Sequence, residues 1–261
     1  MADGYMGRFL FVDLTLRRSE TVPVPPWLKE DFVGGKGFGA RMLADLTRPG
    51  VNALGPENFL MFLTGPLTAT AAPSMRACVV CKSPLTGTFL DSYFGGRFGP
   101  EIRYAGYDGI MITGRSDAPV YLSIRDDRIE FRDAAAVWGA DALTANERIK
   151  ADLNAPEACV VTIGQAGEKG VLFALISCEY NRQAGRGGAG AVMGAKNLKG
   201  VAIQGSRLVK VHDPAAFGEA VIAATGEINA SEGCRALTDA GTSYAVPWSS
   251  AVGTLPVEGG P

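Results

Sequence analysis

Apolar runs of strand length recur from residue 9 to residue 203, with Gly, Pro, Asp and Ser turn signals between them. This pattern constrains the fold more than any other feature, because such runs need sheet partners and few long amphipathic stretches separate them. Residues 9–14 read as a first strand, with 21–24 as its partner. Pro25-Pro26 breaks the chain. Segments 27–33 and 38–46 read as helices around the loop Gly34-Gly35-Lys36-Gly37. Runs 59–63, 77–81 and 88–90 continue the strands, the last two joined by the turn Ser83-Pro84-Leu85-Thr86-Gly87. Further strands are expected at 109–113, 120–124 and 128–131, with Asp126-Asp127 as a hairpin turn. One helix is expected at 141–153, and strands at 159–163, 171–177 and 201–203 close the series. The class is α+β.

Between residues 206 and 212 the pattern changes. Asp213 is an N-cap residue followed by Pro214 at the first helical position. Residues 215–224 and 234–240 then read as helices. We therefore expect a strand-rich domain over 1–208 and, over 209–261, the beginning of a truncated helical domain. The length of 261 residues suits one large domain or a domain with an appendage. A net charge of −2 gives no electrostatic footprint for nucleic acid. The N-terminal stretch turns polar after a very short apolar run, so neither a signal peptide nor a membrane span is expected, and a cytoplasmic location follows.

Glycine is the compositional outlier, at 34 residues, and it clusters. The clusters are Gly34-Gly35-Lys36-Gly37-Phe38-Gly39, Gly95-Gly96-Arg97-Phe98-Gly99 and Gly185-Arg186-Gly187-Gly188-Ala189-Gly190. Glycine permits positive φ and close approach of backbone to a ligand, and successive N–H groups in such loops can cradle an anion. Arg97, Arg182 and Arg186 lie in or beside them, and a guanidinium fork suits phosphate. Each cluster alone favours a tight turn, and the arginines in two of the three tilt the balance toward an anionic ligand. The last formally spells G-x-G-x-x-G, but residues 179–184 separate it from the preceding expected strand, so a dinucleotide site is not expected. No G-K-[ST] follows any glycine loop, which excludes a P-loop.

The five cysteines, Cys78, Cys81, Cys159, Cys178 and Cys234, are odd in number and scattered, which argues against a disulfide framework. Cys78 and Cys81 fall in one expected strand at odd spacing, so their side chains should point to opposite faces and pack in the core. Cys159, Cys178 and Cys234 show no ligand spacing. The only histidine, His212, precedes a helix cap. Neither a metal ligand set nor a catalytic residue emerges from these groups, and Glu57, Glu101 and Glu168 have no acidic neighbour to pair with.

Taken together, GGKGFGARML, LTGPLTATAAPSMR, KSPLTGTF, GGRFGPEIRYAGYDGIMITG, IEFRDAAAVWG, IGQAGE and AGRGGAGAVMGAKNLKGVAI resemble the aldehyde:ferredoxin oxidoreductase family, over roughly residues 5–206 and in family order. The resemblance implies two β-sheets forming a base under a tungsten–bis-pterin cofactor whose phosphates are bridged by magnesium. It implies an enzyme that oxidises an aldehyde to a carboxylic acid and passes electrons through a 4Fe–4S cluster to ferredoxin. The cluster ligands and the catalytic acid/base would lie in helical domains beyond this chain or in a partner subunit, and a homodimer is compatible with it. Carried over residue by residue, Arg76 matches the family arginine between pterin and cluster. Gly95, Gly96 and Arg97 match the loop under the pterin, and Arg182, Gly185, Arg186, Gly187 and Gly188 match a second such loop. Where some members carry Asn-Ser before the glycine pair, this chain has Tyr93-Phe94, which removes a side-chain amide. On this reading the chain alone has no turnover. A non-catalytic binding or assembly module that keeps the fold is the competing expectation.

Overall fold

A computed structural model describes residues 4–255, and the chain divides into two units, Met1–His212 and Asp213–Pro261. In the first unit the order is β1 (Arg8–Asp13), β2 (Arg18–Pro23), α1 (Pro26–Asp31), α2 (Lys36–Leu46), β3 (Leu60–Leu63), β4 (Ala77–Lys82), β5 (Phe89–Phe94), α3 (Phe98–Tyr104), β6 (Gly109–Thr113), β7 (Val120–Arg125), β8 (Arg128–Asp133), α4 (Ala142–Asp152), β9 (Cys159–Thr162), α5 (Gln165–Glu168), β10 (Ile176–Cys178), β11 (Arg182–Ala184), α6 (Ala189–Ala195) and β12 (Leu198–Gln204).

The strands form two six-stranded sheets, ordered β2-β1-β6-β3-β4-β5 and β11-β10-β9-β12-β7-β8. Each sheet has one parallel pair, β1 with β6 and β12 with β7, and is otherwise antiparallel. The α+β reading with two sheets is what the structure shows. Strand alternation builds the layers. Leu10, Phe62 and Val79 of the first sheet join Leu122, Val161 and Val201 of the second in one core, so the sheets face each other. Outside the first sheet, Phe9, Met61 and Val80 pack with Phe38 and Met42 of α2. Outside the second, Tyr121, Val160 and Ala202 pack with Ile149 of α4. The central strands are therefore buried on both faces, which explains why β4 reads as a continuous apolar run and not as an alternating one. The edge strands β2 and β8 are polar and charged, as solvated edges tend to be.

Cys78 and Cys81 do point to opposite faces: the first packs under α2 and the second lies between the sheets. The Asp126-Asp127 turn is the tight hairpin expected, with Arg125 opposite Arg128 and Asp126 at φ 51°. A buried ion pair, Arg103 with Asp108, ties down the N-terminal arm, since the Asp108 carboxylate also accepts from the Met6 N–H (3.0 Å) and the Gly7 N–H (2.7 Å).

Two expectations need correction, and one helix comes without a sequence signal. Residues 171–175 are not strand; only Ile176–Cys178 is paired, because the preceding carbonyls are drawn onto α6, where the Gly190 N–H donates to Ala174 O at 2.9 Å. The segment between that strand and the third glycine run is not a plain connection. It turns back as β11, antiparallel to β10, and β11 leads into Gly185. The dinucleotide reading still fails, on topology: β11 is an edge strand, and the strand after α6 does not lie beside it. Finally, α3 went unpredicted because it is buried along most of its length and so lacks an amphipathic period.

The second unit holds α7 (Pro214–Ala230), α8 (Glu232–Ala240), a short 3₁₀ turn (Gly241–Tyr244) and α9 (Ala245–Ala251). Asp213 caps α7, accepting from the Ala215 and Ala216 N–H groups at 3.0 Å. None of these helices has a buried residue, and Ile222 (75% exposed) and Trp248 (66%) face outward. No helix among the described residues is long and apolar enough to cross a membrane.

Candidate functional site

The edge strands β5 and β11 pack against each other, with the Arg186 N–H donating to Ser92 Oγ at 3.1 Å. At their ends opens a cavity of about 890 Å³. Three separate segments line it: residues 73–76 before β4, residues 93–97 at the end of β5, and residues 181–183 at the start of β11. Each reaches the cavity for a local reason. Gly99 in α3 has no Cβ, which would stand 2.8 Å from Met75 O, so the segment carrying Arg76 can lie directly on the helix. Gly96 takes φ +86°, which turns the chain sharply out of β5. Arg182 pairs with Cys178 across the β10–β11 hairpin, so its side chain emerges beside Gly95, where a Cβ would be 3.5 Å from Arg182 Cδ.

The arginines of the site differ in their partners. Arg97 is fully engaged. Its backbone N–H donates to Glu179 Oε2 at 3.1 Å, its Nε to Glu179 Oε1 at 3.1 Å, and its Nη2 to Glu157 O at 3.2 Å. The Glu179 carboxylate raises the Arg97 pKa further above its usual value. Arg76, Arg182 and Arg186, by contrast, make no side-chain hydrogen bond or ion pair with any described residue. Arg76 and Arg182 stand on the cavity wall with free guanidinium groups. Buried charges are paired and exposed ones are solvated, so two uncommitted cations on one concave wall form an anion-receptive surface. Next to this cavity, sharing Ser74, Arg76 and Tyr93, is a smaller one of about 280 Å³ bordered by Gly34, Gly35 and Lys36. Lys36 is 3.2 Å from Asp91. The Tyr93 hydroxyl has its pKa pushed up to about 12 by burial and by the nearby Cys78 thiol, so it stays protonated at neutral pH.

Of the residues expected at a site, the structure brings together Arg76, Gly95, Gly96, Arg97 and Arg182. Gly185, Arg186, Gly187 and Gly188 do not line the cavity. Gly187 O accepts from Ser83 Oγ at 2.7 Å, and a Cβ on Gly188 would lie 1.9 Å from Leu172 O, so these two serve close packing. Gly185 and Arg186 are exposed.

Residues 9–205 match the family model "Aldehyde ferredoxin oxidoreductase, N-terminal domain". The chain belongs to the aldehyde ferredoxin oxidoreductase family. It is 41% identical over 219 residues to a tungsten-containing aldehyde ferredoxin oxidoreductase of Pyrococcus abyssi, covering 84% of this chain and 36% of that protein. It is 37% identical over 225 residues to an aliphatic sulfonate oxidoreductase, WOR-like subunit, of Pyrococcus furiosus, covering 80% and 36%. Among solved structures it resembles the active-site complex BamBC of benzoyl coenzyme A reductase in complex with 1,5-dienoyl-CoA. That match has a TM-score of 0.85 and 39% identity, covering 88% of this chain and 35% of that one. The chain thus spans little more than a third of the length of these relatives.

One grouping in this family domain escaped the sequence reading. Cys159 and Cys178, 19 positions apart, meet across β9 and β10 with Sγ atoms 3.9 Å apart, beside Glu179. The strand pairing creates that contact, and no sequence spacing announces it. The mutual bond and burial push the Cys159 thiol far up, so it is a neutral packing thiol. A cation is already supplied here: Arg97 occupies both Glu179 oxygens. Glu179 itself went unnoticed because nothing in sequence links it to Arg97, 82 positions away.

Proposed function

We propose that this chain forms the cofactor-supporting base of a tungsten–bis-pterin oxidoreductase. The observation that carries the reading is the pair of unpartnered guanidinium groups, Arg76 and Arg182, on one cavity wall beside the Gly95-Gly96 turn. Such a wall fits a phosphate-bearing ligand. Two guanidinium forks offer charge-assisted hydrogen bonds, and side-chain-free backbone allows close approach. In that role Arg76 and Arg182 neutralise phosphate, the Gly95-Gly96 turn brings backbone to the cavity wall, and Arg97 anchors the loop from below. The cofactor, when bound, would supply the two-electron redox chemistry at its metal, together with a magnesium ion at its phosphates.

The relatives support assigning cofactor support to this domain and substrate choice elsewhere. Proteins named for an aldehyde, an aliphatic sulfonate and a coenzyme A thioester share this domain at 37–41% identity, so its common task is not recognition of one substrate. For the whole protein we infer oxidation of an aldehyde to a carboxylic acid, with electrons leaving through a 4Fe–4S cluster to ferredoxin in the cytoplasm. Such a cluster takes four thiolates. Among the described residues four cysteines are buried in packing roles and Cys234 is alone. We therefore place the cluster ligands and the acid/base group in the remaining domains or a partner subunit, with which this chain, or a homodimer of it, assembles.

The test uses inorganic pyrophosphate as the probe. Isothermal titration of the chain should detect binding that weakens about tenfold or more in R76A and in R182A, since one charge-assisted contact contributes roughly 1.5–3 kcal/mol. Coexpression with the remainder of the protein and tungstate, followed by elemental analysis, should then recover tungsten. Equal pyrophosphate affinity in wild type and both variants would refute the reading.

A further inference from the structure

We propose that Glu179 is the positioning residue of this cavity, the group that fixes the Gly95-Gly96-Arg97 turn in its ligand-ready shape. The proposal rests on the cofactor-supporting reading above and adds a residue to it. Glu179 stands in the β10–β11 turn of the second sheet, while the turn it holds follows β5 of the first. Its two carboxylate oxygens are divided between the Arg97 backbone N–H and the Arg97 Nε, both at 3.1 Å. One bond thus fixes the main chain of the turn and the other its side chain. The carboxylate also fills the space beside Gly96, where a Cβ would come within 2.6 Å of Glu179 Oε2. A side chain at position 96 would have to displace this carboxylate, besides being strained at φ +86°.

Three further observations make this a built contact and not a surface ion pair. Glu179 takes φ 51°, a left-handed conformation that a glutamate rarely adopts without compensation. Its backbone N–H is held by Val160 O at 3.3 Å, so the turn itself is fixed to β9. Arg97 continues the chain of contacts to Glu157 O at 3.2 Å. Arg182, one of the two free cations of the cavity, is three residues beyond Glu179 in the same hairpin, and its Cγ lies 3.4 Å from the Gly96 Cβ position. Glu179 therefore sets the spacing between the glycine turn and Arg182. It also keeps Arg97 paired, so that the charge offered to a ligand comes from Arg76 and Arg182.

The test combines hydrogen–deuterium exchange with pyrophosphate titration on the full chain, in wild type, E179A, R97A and the double variant. In E179A, amides of residues 95–98 should exchange roughly 10–100-fold faster, the range expected for losing charge-assisted hydrogen bonds, while β7 and β12 stay protected. Pyrophosphate affinity should fall several-fold. The R97A and E179A effects on loop exchange should be non-additive, because the two side chains act as one unit. E179D should restore part of the protection. Should E179A fail to fold, E179Q, which keeps an acceptor for the Arg97 N–H, takes its place. Wild-type exchange at 95–98 in E179A, or additive effects, would overturn the proposal. So would tighter pyrophosphate binding in E179A that R97A reverses, which would make Glu179 a shield for Arg97. If wild type binds no pyrophosphate, the cofactor reading falls, and the exchange data alone decide the role of Glu179.

Discussion

Gly185 and Gly188 belong to one glycine run, yet the structure gives them opposite tolerances to a methyl group. Gly188 sits at φ +83°, and a Cβ there would meet Leu172 O at 1.9 Å and Pro84 Cγ at 2.9 Å. The left-handed conformation costs an alanine about 1–2 kcal/mol. Relieving an overlap with a backbone carbonyl, which cannot rotate away as a side-chain tip can, costs about 1–3 kcal/mol more. Gly188→Ala should therefore lose about 2–5 kcal/mol, a large part of the roughly 5–15 kcal/mol that holds a typical domain together. Gly185 has no atom within 4 Å of its Cβ position and is not among the positive-φ residues. Gly185→Ala should stay within about 0.5 kcal/mol of wild type. Urea titration of the full chain, followed by circular dichroism, measures both. Loss of equal stability in the two variants would refute the packing account of this run, as would a Gly188→Ala midpoint unchanged from wild type. The pair also separates packing from ligand contact. If Gly185→Ala weakens pyrophosphate binding with stability intact, the exposed half of the run touches the ligand although it lies outside the cavity wall.

The Asp108→Ala variant should lose about 3–5 kcal/mol in the same titration, because it strands the buried Arg103 guanidinium and frees the Met6 and Gly7 N–H groups; a loss under 1 kcal/mol would contradict this. Lys196 is buried without a carboxylate partner, and burial lowers its pKa to about 7 from 10.5. Between those values the unfolded chain holds the extra proton, so stability should rise with pH from about 7 toward 10.5 and level off below 7. Bonds from its Nζ to Pro56 O and Gly114 O, both 3.0 Å, offset part of that slope. Melting curves of Lys196→Met across that range should be flatter than wild type, and an identical slope would assign the pH dependence elsewhere. Burial pushes the Cys78 and Cys81 thiols up to about 12, while Cys234 is only half-buried, so iodoacetamide should label Cys234 first. Rapid labelling that survives Cys234→Ser would contradict the burial of the other four.

Strand identity was legible wherever a strand is buried on both faces, because burial writes itself as an unbroken apolar run. Legibility failed where polar residues or backbone contacts decide the outcome. β5 reaches to Phe94 because Leu90, Ser92 and Phe94 alternate inward, but the buried Ser92 interrupts the apolar signal. The run 171–175 looks like strand because it is apolar, yet Leu172, Phe173 and Leu175 are 44%, 71% and 40% exposed. Its carbonyls lie over Gly188 and Gly190 of the third cluster, where Cβ atoms would stand 1.9 Å from Leu172 O and 2.3 Å from Leu175 O. Those glycines are explained by the approach of another segment's backbone, a cause that composition cannot reveal.

The candidate site was legible as a set of residue types but not as a distribution of charge. In the sequence Arg76, Arg97, Arg182 and Arg186 are equivalent, each a guanidinium in or near a glycine-rich or family-like segment. What separates them is the identity of the neighbours that folding brings up. Arg97 meets Glu179 and Glu157, from segments more than fifty positions away, and becomes an anchor. Arg76 and Arg182 meet no acid and keep their charge available to the cavity. Arg186 is exposed outside the cavity, and only its backbone N–H is used, by Ser92. The glycines divide in the same way: Gly96 is needed for the turn, Gly99 for the seat of Arg76, and Gly187 and Gly188 for packing. A motif match therefore carries two kinds of residue at once, those that would face a ligand and those that hold them in place. Only the partner of each side chain tells the two apart.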